Sequence, residues 1–275
     1  MKWVFVVFCI VAVNVVFSQK SMVVDELKYE CKYLLTYQPD STSAENKRSE
    51  IMLLQIGKTT SKFISEGMKT IDSVSKEMAS NQVGSIDVGA VFSKIPRTKI
   101  KEIVYKNHPI NKISVIEIVA RDHYLYEEDL KKLNWKILAD TKEINGQQCQ
   151  KATLNYGGRN YEAWFSKEIP ISEGPYKFNG LPGLIVFMKD EKEHYKYELI
   201  AVSSKNNQSI YFENDNFIKL TKSEFHEQKK KFYENFLLNA QNSGLTLKFD
   251  NPNDRKKLQS KLKNNNNNPI ELKFD

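Results

Sequence analysis

The chain has 275 residues, of which 40% are hydrophobic and 11% aromatic, and a formal charge of +7. That content suffices for a sizeable core, and the length suits one large domain or two small ones. Basic residues are interleaved with 34 acidic ones rather than gathered in a stripe, which argues against a nucleic-acid partner. The dense basic runs, Lys229-Lys230-Lys231 and Arg255-Lys256-Lys257, read as a solvated helix face and a solvated tail.

Residues 1–18 read as a secretory signal peptide. Lys2 supplies the positive start, Trp3 to Val16 the apolar run, and Val16 and Ser18 the small residues before the cut. A membrane anchor is the alternative, but the run is shorter than the ~18–20 residues of a span. Cys9 has too little apolar sequence before it to be a lipid-attachment site. The expectation is an exported protein, periplasmic or secreted, with no transmembrane segment after cleavage.

Along the mature chain, "LKYECKYLLTY" alternates, with Tyr29, Cys31, Tyr33, Leu35 and Tyr37 on one strand face and Glu30, Lys32 and Thr36 on the other. "EIMLLQIG" and "TSKFISE" read as strands joined at Gly57-Lys58. A helix follows over Met68–Ser80, with Ile71, Val74, Met78 and Ala79 on one stripe; Asn81–Arg97 reads as irregular. "IKEIVYK", "KISVIEIVA", "HYLYEE" and "WKILAD" are further short strands. Residues 147–166 form the clearest hairpin, with Gly157-Gly158 as a turn requiring positive φ. "LIVFMKD" and "HYKYELIAVS" make another pair across "EKE". The pattern predicts a mainly β fold of the α+β kind: a curved antiparallel sheet or half-open barrel with one or two packed helices.

"TKSE" at Thr221–Glu224 is a capping box, and it opens a helix over Thr221–Asn242 with Phe225, Phe232, Phe236 and Leu237 near helical spacing. Gly244 is its C-cap candidate. Residues 19–250 thus read as a single β-rich domain. Residues 251–275, with five consecutive Asn, read as a loose polar tail.

No catalytic signature stands out. The four histidines belong to no H-E-x-x-H pattern, and G-x-S-x-G and phosphate-binding glycine loops are absent. His123, beside Asp122 and ahead of Glu127, Glu128 and Asp129, is the one local support for a hydrolase; a solvated strand end explains the same residues. Cys31 and Cys149 have no flanking His, so no zinc pattern exists. In an oxidising compartment they either pair as a disulfide or remain separate thiols on strands that never meet; both readings stay open. No cofactor is implied.

The segment Gly146–Asp190 discriminates further. It carries the hexapeptide Gly180-Leu181-Pro182-Gly183-Leu184-Ile185 without substitution. Around it stand Cys149 and Ala152, Ala163-Trp164, Ile169-Pro170, Gly174-Pro175 and Lys177-Phe178. The segment closely resembles the GLPGLI family of exported Bacteroidetes proteins, most specifically over Trp135–Ser203. The resemblance implies a secreted or periplasmic location and a mainly β fold, and it implies no reaction. Asp40-Ser41-Thr42 and Asp72-Ser73-Val74 also resemble the O-glycosylation sites of such exported proteins, at Ser41 and Ser73; chance matches of three residues are common.

Within the hexapeptide, Pro182 biases Leu181 to extended geometry, and Pro182-Gly183 can form a type II turn. Leu181 then either packs inward under Trp164 or Phe178, or points outward as an apolar lip. The residues expected at a binding mouth are Trp164, Phe178, Leu181 and Leu184. The sequence supports a monomeric, non-catalytic envelope protein binding an apolar small molecule or a peptide segment. The alternatives are an interaction partner of an outer-membrane transport or surface complex, and a cryptic hydrolase.

Overall fold

The computed structural model describes residues 21–79, 96–213, 216–242, 251–264 and 267–274. The expected signal peptide, most of Asn81–Arg97, and Gly244 lie outside the described residues.

The strands run in chain order as β1 Met22–Glu26, β2 Tyr29–Tyr37, β3 Arg48–Ile56, β4 Ser61–Ser65, β5 Glu102–Lys106, β6 Lys112–Val119 and β7 Asp122–Asp129. Next come β8 Lys136–Ile144, β9 Gln147–Tyr156, β10 Arg159–Ser166, β11 Leu184–Asp190, β12 Tyr195–Ser204, β13 Ser209–Phe212 and β14 Ile218–Lys219. The helices are α1 Glu66–Ala79, α2 Lys222–Glu234, α3 Phe236–Asn242 and α4 Pro252–Asn264. Twelve strands form one curved, open sheet in the order β14-β7-β6-β5-β4-β3-β2-β12-β11-β10-β9-β8. The fold is mainly β, as the alternating patterns predict.

The alternation of β2 works out in three dimensions. Cys31, Tyr33, Leu35 and Tyr37 are buried in the larger core cluster, on what we call the inner face. Tyr29 is exposed at the strand's end. Glu30, expected outside, is also buried, because Lys69, Gln55 and Lys205 surround its carboxylate. The opposite, outer face of β3–β7 carries a second cluster of Leu53, Ile64, Ile103, Tyr105, Ile116 and Leu125. It is covered by Ile210 and the β1–β13 ribbon together with Met68 of α1. That ribbon was not among the strands expected from the sequence. Ser65 starts α1, its hydroxyl accepting from the Met68 amide at 3.1 Å.

Two expectations need correction, and one open alternative is decided. The single helix over Thr221–Asn242 is two, α2 and α3. The capping box at Thr221 and Glu224 is formed, but Asn235 ends α2: its backbone N–H and its side-chain amide both donate to the Lys231 carbonyl. The supposed loose tail is ordered over α4 and 267–274, and it reaches the core, where Asn268 and Glu271 are 4% and 3% exposed. Cys31 and Cys149 are both free and buried, on β2 and β9, with β12, β11 and β10 between them in the sheet. Burial, then the nearby Glu173 and Glu30 carboxylates, push the Cys31 thiol up to about 12.

Candidate functional site

Residues 167–183 leave β10, cross the inner face and return as β11. The hexapeptide makes that return. Gly183 donates to the Leu181 carbonyl at 2.8 Å, closing a three-residue γ-turn at Pro182 rather than a type II turn. Leu184 then donates to Ile169 at 3.0 Å and Ile185 to Glu173 at 3.0 Å, which aligns β11 with the loop.

The side chains expected at a mouth lie inside. Leu181 is 1% exposed, Phe178, Leu184 and Ile185 are 0%, and Trp164 is 7%. All five belong to one core cluster. Phe178 is enclosed by Tyr161, Tyr156, Tyr176 and Trp135, with ring centroids 4.9–6.4 Å away. Trp164 lies under the Lys142 ammonium, 4.0 Å from the ring centroid, and its Nε1 donates to Glu162. The apolar lip is therefore absent: Leu181 takes the inward alternative. Ser41 and Ser73 are exposed, Ser73 on α1. Among the described residues, no group of three His, Cys, Asp or Glu side chains could hold a metal ion. His123 sits on β7 opposite Ile118.

Instead of an apolar mouth, the inner face presents buried polar side chains that grip residues 267–274. Arg159, the first residue of β10, is 5% exposed. Asp190 accepts from its Nη1 at 3.0 Å, and the guanidinium stacks over the Tyr195 ring. Its Nε and Nη2 are thereby aimed at the C-terminal segment. They donate to the carbonyls of Ile270 at 2.9 Å and Pro269 at 2.6 Å, and to the Asn268 side chain at 2.7 Å. Tyr195 donates to the Asn268 carbonyl at 2.8 Å, and the Asn268 amide donates to the Gln38 carbonyl at 2.6 Å. Tyr161 adds a bond to the Ile270 carbonyl.

One residue further on, Glu271 enters a cationic slot. Lys177 reaches it at 2.7 Å, Lys222 at 2.5 Å, and the Tyr176 hydroxyl donates at 2.5 Å. Glu128 of β7 completes the slot by pairing with both lysines. Burial alone would raise the Glu271 carboxyl; the two ammoniums overcome it and hold it at about 2. Beyond Glu271, the amides of Leu272 and Lys273 donate to the Gly157 carbonyl at 2.6 and 3.2 Å. Phe274 stacks on His226 at 3.7 Å between centroids. The turn glycine is needed for this fit: Gly157 has φ +56°, and a Cβ there would stand 2.8 Å from the Glu271 side chain.

The loop is anchored from the other side of the face. Lys106 of β5 is 2% exposed, pairs with Glu173, and donates to the Gly174 carbonyl at 2.8 Å and the Phe178 carbonyl at 3.1 Å. A buried charge is tolerated when it is paired and hydrogen-bonded, and the Lys106 ammonium has one carboxylate and two carbonyls around it.

In the sequence Lys177 stands out only as a neighbour of the hexapeptide, and Arg159, Glu271 and Asn268 do not stand out at all. One signal was available: "IELKF" alternates apolar and polar residues after the Asn run. Its usual reading would be inverted, because Glu271 is buried and Leu272 is 49% exposed.

A family model described as a protein of unknown function, Porph_ging, matches residues 157–187. That stretch contains the hexapeptide and also Gly157, Arg159, Tyr161, Tyr176 and Lys177, which hold the C-terminal segment. No curated protein matches the chain. Two solved structures, titled "Structure of PNGF-II in P21 space group" and "Structure of PNGF-II in C2 space group", are similar in fold. Each has a TM-score of 0.50 and 13% identity, over 74% of this chain and 33% of that chain. This chain thus spans about a third of the length of the proteins they describe, and the likeness is one of fold alone. No helix among the described residues is long and apolar enough to cross a membrane.

Proposed function

We propose that this chain is an exported cell-envelope protein of the GLPGLI kind that works without a catalytic step and binds extended polypeptide segments on the inner face of its sheet. The observation that carries the reading is the grip on residues 268–270. Arg159, Tyr161 and Tyr195 bond backbone carbonyls, the chemistry by which one chain holds another with little dependence on sequence. A small apolar ligand is disfavoured, because the expected mouth residues are already packed. Two surface cavities, of about 480 and 360 Å³, are lined largely by lysines and polar side chains and include none of those residues. Export rests on the leader-like residues 1–18, and the envelope setting on the hexapeptide and its companions.

Native mass spectrometry of the mature protein, taken gently from its producer's envelope, tests the reading. A stoichiometric complex with a polypeptide supports it. A discrete added mass of a few hundred daltons would point to a carried small molecule instead. A bare monomer contradicts it.

A further inference from the structure

Residues 267–274 differ from the rest of the inner face in how they are held. Between Asn268 and Phe274 the segment belongs to no helix or strand of the fold. From Asn268 to Lys273 its backbone bonds run to side chains and to one turn carbonyl, as those of a bound peptide do. The receiving groups come from parts of the chain far away in sequence: Lys177 lies 94 residues from Glu271, and Gln38 lies 230 from Asn268. They are mutually supported without it. Asp190 orients Arg159, and Glu128 bridges Lys177 and Lys222.

We infer that this face is a receptor site for an extended peptide of the form Asn-Pro-aliphatic-Glu, and that residues 268–271 are its resident occupant. Each position has a chemical reason. The Asn side chain fits because its oxygen accepts from Arg159 while its nitrogen donates to Gln38; a carboxylate could not donate to that carbonyl. Pro at the next position, half-buried, has no N–H to leave unpaired, and its carbonyl accepts from Arg159. The acidic residue is selected by two ammoniums and a hydroxyl converging on one carboxylate. The resident segment, tethered at high effective concentration, keeps the site closed to competitors of equal affinity. A partner protein displaces it by presenting the same chemistry. The inference rests on the peptide-binding reading and names the ligand class of that site.

The test uses the full mature chain and a variant, Glu271→Lys, whose resident segment is repelled by Lys177 and Lys222. The probe is a fluorescent, amidated peptide with the sequence of residues 267–274, followed by anisotropy. The variant should bind it at a single site, at least about tenfold more tightly than the wild-type chain does. Replacing Glu by Gln in the peptide should weaken binding by about tenfold or more. A folded variant that binds no peptide, or binds both peptides equally, overturns the inference.

Hydrogen exchange of the wild-type chain decides the matter if the variant does not fold. The Leu272 and Lys273 amides should exchange about a hundredfold faster than those of Tyr161 and Ala163 in β10, through opening of the segment alone. Exchange at the same rate as β10 would make the segment a permanent part of the core and overturn the inference. A polypeptide partner found by native mass spectrometry without binding of this peptide would sink the inference and leave the broader reading standing. Peptide binding by a chain that yields only a bare monomer would uphold the site and its ligand class and overturn its use by an envelope partner.

Discussion

Gly183 lies so close to β10 that a Cβ would stand 2.1 Å from the Ser166 carbonyl oxygen, at φ +158°. Gly180, three residues earlier, has φ +92° and nothing within 4 Å of where a Cβ would be. The two glycines of one motif therefore fail differently. Gly180→Ala meets only backbone strain and should cost about 1 kcal/mol. Gly183→Ala must push two strands apart and should cost about 3 kcal/mol or more. Chemical denaturation of both variants checks the order, and equal costs would mean that the close approach to Ser166 is not maintained. At this scale the sequence was partly legible. The need for Gly and Pro could be seen, since glycine alone tolerates such positions. The turn type and the inward direction of Leu181 depend on Ser166 and the Phe178 cluster, which no local rule contains.

At the scale of elements, alternation and turn residues located β2 to β12 well, because a half-buried strand imposes its period on its own residues. β1 and β13 escaped notice because their burial comes from lying across the outer face, not from an alternating core position. The pairing of β5 with β6 has a consequence that their separate patterns hide. It sets Glu102 directly opposite Glu117, and α2 brings Lys229 to Glu117 at 2.5 Å. Burial first, then the Glu117 charge, raise the Glu102 carboxyl to about 7 from its ordinary 4.5, against the pull of Lys177 and Lys229. A carboxyl raised in the folded state contributes stability that is complete below its unfolded value and is lost as pH rises through the folded one. The melting temperature should therefore fall as pH rises from about 5 to 8, and Glu102→Gln should flatten that slope. Glu271 acts in the opposite sense. Held at about 2, it contributes stability above 4.5 that is lost as pH falls toward 2 in both proteins. Thermal unfolding across pH would refute this if the wild type and the Glu102→Gln protein kept the same neutral slope.

At the scale of the whole molecule, the inner face is closed by pieces of chain that meet only in the folded state. The loop of residues 167–183, α2 and the segment 267–274 converge on Lys177, Lys222, Glu128 and Glu271. Low-complexity composition made the last of these look dispensable, yet its Asn268 and Glu271 are among the most buried polar residues. The fold class could be read because it follows from local patterning. The site could not, because its slot is assembled across long stretches of sequence: Lys177 pairs with Glu271, and Lys222 with Glu128, each 94 residues apart. Everything on the inner face turns on whether Glu271 occupies the cationic slot. A double-mutant cycle on Lys177→Met and Glu271→Gln, followed by urea unfolding, measures this. Lys177→Met alone should cost about 3–5 kcal/mol, because it strands buried carboxylates. The pair should show a coupling of about 0.5–3 kcal/mol. Strictly additive effects would contradict the account, for they would mean that the C-terminal segment does not sit on the inner face at all.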